Sequence, residues 1–221
     1  MTEPRPCLPV PIVMLVTDRT RCGQRRLEDV IGAAVEGGVN VVQVREKDLS
    51  GGELFRLVER VLSVVGTRAL VLVNDRLDVA LAAGADGVQL GSAALPTEAA
   101  RQVASRLLLG RSVHDLGCAV EATAEGADLL VVGSIFASPS HPALLPAGPP
   151  LLRKIASAVQ LPLVGIGGIT AANAAQVIGA GSSGVAVISE ILDAFDPREA
   201  TRRLASAVHA AWPTTPLHKR H

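Results

Sequence analysis

Short apolar bursts alternate with helix-patterned segments eight times along this chain, and no other feature narrows the fold as much. The bursts fall at 12–16, 39–44, 69–73, 87–90, 107–109, 129–132, 163–166 and 185–188. Between them apolar residues recur three or four apart, as in Leu54, Leu57, Val58, Val61 and Leu62, the spacing of one helix face. Eight such alternations predict an α/β protein, a single closed (β/α)8 barrel of parallel strands in the TIM-barrel architecture. Composition agrees: 48% of residues are hydrophobic but only 2% aromatic, so Val, Leu, Ile and Ala must fill the core, as buried parallel strands require. Small-residue turns at 36–38, 83–87, 125–128 and 179–181 read as glycine-capped helix ends before the chain re-enters the sheet. No composition shift marks a linker, so residues 1–221 read as one domain, with 1–10 and 213–221 as flexible tails.

Several function classes are excluded on charge and composition. Twenty-one basic and 21 acidic side chains give a formal net charge of zero, and no aromatics interleave with basic clusters, which argues against nucleic acid. Cys7, Cys22 and Cys118 are scattered without metal-like or disulfide-framework spacing, so a reducing cytoplasm is the expected location. The opening MTEPRPCLPVP carries acid and repeated proline where a signal peptide needs a basic and then an unbroken apolar region. No apolar run approaches the length of a membrane span, so no membrane is expected as a partner.

In such a barrel, chemistry belongs to the loops at the C-terminal ends of the strands, and loops seven and eight commonly hold a phosphate. The apolar run 163–166 stops at Gly167-Gly168, and a helix opened by Thr170 follows. Glycine there lets backbone N–H groups approach an anion. At the end of strand two, alternation points Gln43, Arg45 and Lys47 to one side, a fork and a point charge suited to pyrophosphate, unless Glu46 and Asp48 simply balance the cations. Asn74-Asp75 ends strand three, where Asp75 can hold magnesium together with substrate phosphates or can cap the next helix. Residues 110–114, GRSVH, read as the loop after strand five. Imidazole is the side chain best suited to acid–base work at physiological pH, which makes His114 the chain's best acid–base candidate, while Ser112 either donates to a phosphate or caps the helix near Asp115. Five prolines in 136–150 forbid regular helix there and suggest a cover over the site.

Taken in order, VTD (16–18), QVREK (43–47), ND (74–75), ADGVQLG (85–91), GRSVH (110–114), IGGI (166–169) and GVAVIS (184–189) resemble the thiamine phosphate synthase and thiazole tautomerase superfamily over nearly the whole chain. The resemblance implies a phosphorylated thiazole as small-molecule partner, its phosphate on Gly167, Gly168, Ile188 and Ser189. Family members are often homodimers, but no interface signature stands out here. The synthase pattern is matched by Gln43, Arg45, Lys47, Asn74, Asp75 and Ser112. Its His-x-Gly-Gln-x-Asp run, whose last carboxylate helps hold magnesium, here runs from Gln89 to Ala94 as QLGSAA. Its Thr-x-Thr-Lys loop here reads Ser138-Pro139-Ser140-His141, keeping two hydroxyls but not the fixed cation. The tautomerase pattern resembles VQL and GRSVH, including Arg111, and implies no cofactor, with His114 as proton shuttle. These departures favour a thiazole tautomerase, an isomerase that aromatises carboxythiazole phosphate. The alternatives are a magnesium-dependent thiamine phosphate synthase and a non-catalytic phosphate-binding regulatory barrel.

Overall fold

The computed structural model describes residues 5–138 and 145–213. Eight parallel strands close into a barrel in sequence order: β1 (Ile12–Val16), β2 (Val41–Val44), β3 (Leu70–Asn74), β4 (Gly87–Leu90), β5 (Leu108–Val113), β6 (Leu129–Gly133), β7 (Leu163–Ile166) and β8 (Gly184–Val187). Around them lie α1 (Leu27–Gly37), α2 (Gly51–Val65), α3 (Leu77–Ala83), α4 (Thr97–Val103), α5 (Leu116–Ala124), α6 (Gly148–Ala156), α7 (Ala174–Ile178), the single turn α8 (Ser189–Leu192) and α9 (Pro197–Ala211). No helix among the described residues is long and apolar enough to cross a membrane.

Alternation along each strand splits the core in two. Ile12, Met14, Val16, Val41, Leu72, Leu108, Leu129, Val131, Val164 and Ala186 fill the barrel interior. Val13, Leu15, Val42, Val44, Val71, Val73, Leu109 and Leu130 face the helices. The interior is thus packed with branched side chains rather than hollow, and a ligand can enter only above them. Part of the expected N-terminal tail is anchored: Leu8 packs against the interior cluster, and Arg5 pairs with Asp128.

Three local expectations are corrected. β5 runs through Val113, so GRSV is strand rather than loop, its polar residues being the strand's end at the mouth. The helix after Gly168 begins only at Ala174, because Asn173 Oδ1 accepts from Thr170 N at 2.9 Å and closes a turn first. The proline-rich segment ends in helix: Pro149 and Pro150 sit in the first turn of α6, where a missing N–H costs nothing. The expected cover falls largely on 139–144, outside the described residues. Glycine in left-handed backbone follows α1 and α3 directly as Gly38 and Gly84, whereas after α5 and α7 it comes later, at Gly126 and Gly181.

Candidate active site

The interior changes character at the C-terminal end of four adjacent strands. Two residues above Val41 on β2 stands Gln43, and two above Leu72 on β3 stands Asn74. Gln89 on β4 pairs in register with Asn74 and with Gly110, and Ser112 follows one pleat later on β5. Gln43 Nε2 donates to Asn74 Oδ1 at 2.9 Å, and Gln89 Nε2 donates to Ser112 Oγ at 3.0 Å. Each pair ends on an uncommitted donor: among the described residues neither the Asn74 amide N–H groups nor the Ser112 hydroxyl proton has an acceptor.

Beside this row the β1 and β2 ends are locked together. Thr17, fully buried, donates to Glu46 Oε1 at 2.7 Å and accepts from Arg45 N at 2.9 Å. Glu46, 5% exposed, also accepts from Arg19 N and from the Arg19 guanidinium at 3.0 Å. Asp48 takes the rest of that guanidinium, and the hydrogen bond pulls its carboxyl down to about 2. Both carboxylates expected to balance Arg45 and Lys47 are therefore spent on Arg19. Arg45, half-buried, and Lys47, exposed, have no side-chain partner among the described residues. β2 stops at Val44, so this buried clamp, rather than continued alternation, sets where the two cations sit. Thr17 and Arg19 escaped sequence reasoning, although polar residues directly after a buried strand, as in VTD, were the available signal.

Asp75 is the only non-glycine residue described with a left-handed backbone, φ 58°. Its Oδ1 accepts from Gly91 N at 2.7 Å, while α3 begins after Arg76 with no side-chain cap. The capping alternative is thus excluded, and Oδ2 remains uncommitted. No group of three or more His, Cys, Asp or Glu side chains that could hold a metal occurs among the described residues. Ala94 closes a turn on Gly91 and brings no oxygen. The donor set fits magnesium in one form: a single protein carboxylate oxygen, the remainder coming from substrate phosphates and water.

His114 is exposed, and its Nδ1 lies 2.6 Å from Gly133 O. A carbonyl only accepts, so the proton sits on Nδ1 and Nε2 is left for a ligand. Asp115 caps α5 by accepting from Cys118 N, and this bond holds its carboxyl below the usual range; Ser112 is not the cap. Arg111 shares the outward face of β5 with Leu109 and Val113, and its guanidinium donates to Leu95 O at 3.0 Å. It is not brought together with Gln43, Asn74 and Ser112.

Across the mouth, Gly167 and Gly168 have φ values of 101° and 60°. A Cβ on either would collide with the β6 loop, with Ser134 or with the Ala137 carbonyl. The pair therefore does steric work as well as opening backbone. The N–H groups of Gly168, Ile169, Ser189 and Glu190 meet no acceptor among the described residues. Ser138 is half-buried at the end of the described part of the β6 loop, and Ser140 and His141 lie outside the described residues. A cleft of about 560 Å3 opens elsewhere, lined by Arg19, Arg25, Glu28 and Glu53 among others, and touches none of the interior row.

Residues 13–191 match the family model described as thiamine monophosphate synthase. A thiamine-phosphate synthase from Roseiflexus castenholzii (strain DSM 13941 / HLO8) is 44% identical over 199 residues, 87% of this chain and 86% of that protein. Another, from Methanoculleus marisnigri (strain ATCC 35101 / DSM 1498 / JR1), is 46% identical over 200 residues, 89% of this chain and 95% of its own. The solved thiamine phosphate pyrophosphorylase from Pyrococcus furiosus superposes with a TM-score of 0.84 at 37% identity, covering 90% of this chain and 96% of that one. These relatives overturn the tautomerase expectation and the isomerase assignment that went with it. The structure supplies a reason: Arg111, counted for the tautomerase, faces away from the interior, and Gln89 serves the same donor row that the synthase pattern shares. The chain belongs to the thiamine monophosphate synthase family.

Proposed function

We propose that this protein is a transferase that joins hydroxymethylpyrimidine pyrophosphate to thiazole phosphate, releasing pyrophosphate and forming thiamine phosphate. One observation carries the reading: among the described residues the uncommitted groups around the β2–β5 mouth include Arg45, Lys47, the Asn74 amide N–H groups and the Ser112 hydroxyl, with Asp75 Oδ2 and the buried Gln89 Oε1 as the acceptors among them. That is far more positive character than one phosphate needs, and it suits a pyrophosphate leaving group with a bound cation. In the reaction the bond from the pyrimidine methylene to its pyrophosphate oxygen breaks, and the thiazole nitrogen captures the methylene cation. Negative charge grows on the departing pyrophosphate, and donors already fixed there stabilise it more in the transition state than in the ground state. Magnesium, held by Asp75, would add positive charge at that same oxygen cluster.

The four free N–H groups of loops seven and eight, with the Ser189 hydroxyl and the Ile188 backbone, form the seat for the thiazole phosphate on the opposite side. Ser138, at the end of the described part of the β6 loop, is a further candidate phosphate contact. Because no proton leaves a ring carbon in this reaction, His114 orients substrate through Nε2 rather than shuttling a proton.

The test is direct assay of purified protein with both substrates and magnesium. Formation of thiamine phosphate and pyrophosphate in equal amounts is the expected result. Absence of both products, with the barrel folded by circular dichroism, would refute the assignment.

A further inference from the structure

Gln89 stands out among interior residues because its amide is only half used. The side chain is 1% exposed, Nε2 donates to Ser112 Oγ, and Oε1 has no partner among the described residues. A buried carbonyl left unpaired is a standing cost, and methionine, of similar length, would avoid it. Room for the amide is made deliberately: a Cβ on Gly110 would overlap Gln89 Oε1. Turned over, the amide would instead accept the Ser112 proton and leave only lone pairs of that hydroxyl toward the mouth.

Resting on the transferase reading above, we infer that Gln89 is a positioning residue that sets the hydrogen-bond polarity of Ser112, directing its hydroxyl proton at the pyrophosphate. A serine hydroxyl both donates and accepts. With one lone pair taken by Gln89 Nε2, the Ser112 proton is turned away from Gln89 and offered as a donor, the role that an anion requires. An anion takes a stronger hydrogen bond from such a donor than a neutral group does. The Gln43–Asn74 pair repeats the device one strand pair away, so the row presents donors to the mouth from β3 as well as from β5.

Inorganic pyrophosphate, bound in metal-free buffer and followed by calorimetry, is the probe, alongside steady-state kinetics of the full chain. Gln89→Glu keeps the shape but can only accept from Ser112, and it should weaken pyrophosphate binding about 10- to 100-fold. Gln89→Met should weaken it about tenfold, with KM for the pyrophosphate substrate rising more than kcat falls. In a Ser112→Ala background, Gln89→Met should change binding less than about twofold, because the group it polarises is gone. A general packing role predicts otherwise: losses that multiply in the double variant and a fall in Tm that tracks them. Wild-type binding of pyrophosphate by Gln89→Met, multiplicative losses, or a wild-type protein that does not bind pyrophosphate would each overturn the inference. Wild-type protein that binds pyrophosphate but forms no thiamine phosphate would remove the transferase reading alone.

Discussion

The two halves of the donor row use the same pairing and differ in what surrounds it. On β2 and β3, Gln43–Asn74 is flanked by unpartnered Arg45 and Lys47 and by Asp75, whose backbone is held in a left-handed conformation. On β4 and β5, Gln89–Ser112 is flanked by Ala94, which brings no charge, and by Arg111, which is spent on the Leu95 carbonyl. Charge is thus concentrated on one half and neutral dipoles on the other. The lesson is that a cation is available to substrate only when its neighbouring carboxylates are engaged elsewhere. Arg19 does this for Arg45 and Lys47 by drawing in Glu46 and Asp48.

The strongest way to break the contrast is Arg45→Ala. Losing a charged donor to the leaving group should lower kcat/KM about 10²- to 10³-fold, and Tm should hold, because Arg45 has no side-chain partner among the described residues to lose. Equal damage to stability and activity would show that Arg45 is structural. The contrast can next be softened by Ala94→Asp, which adds a carboxylate to the neutral half. Half-maximal activity should then need several-fold less magnesium, read from a metal titration of the rate; an unchanged titration would mean that Asp75 works alone.

A smaller effect follows from acid. Asp48 is depressed to about 2 by Arg19, so its grip on the β2 loop is complete above the ordinary carboxylate pKa, about 4, and is lost as pH falls toward 2. Hydrogen exchange at pH 2.5 against pH 5 should show the 45–49 loop losing protection relative to the 65–68 turn, whose Arg68 ties to the Val64 and Val65 carbonyls do not titrate. Parallel loss in both loops would count against the clamp. The least effect is expected from Arg111→Ala, with kcat and KM within about twofold of wild type because the side chain faces outward. A hundredfold loss there would return Arg111 to the site.

Much of this protein was legible before any coordinates. Eight continuous apolar bursts separated by helical spacing bury both strand faces most simply in a helix-wrapped parallel barrel, and β1, β4 and β7 begin and end where the apolar runs do. The candidate site was legible in part, in that Gln43, Arg45, Asn74, Ser112 and the glycine pair all lie at strand ends, where a barrel puts its chemistry. Branch and polarity were not legible. Treating Ala94 and Arg111 as decisive weighs residue types, and a type does not say which way a side chain faces.

What sequence alone determined was the barrel and the neighbourhood of its mouth, since both follow from local periodicity and from where polarity begins. Tertiary structure decided which polar groups are spent and which remain free. Glu46 reaches back 29 residues to Thr17, Asp75 forward 16 to Gly91, and Gln89 forward 23 to Ser112. Such bonds form only when neighbouring strands are in register, because hydrogen bonding depends on distance and direction in space, which linear spacing does not encode.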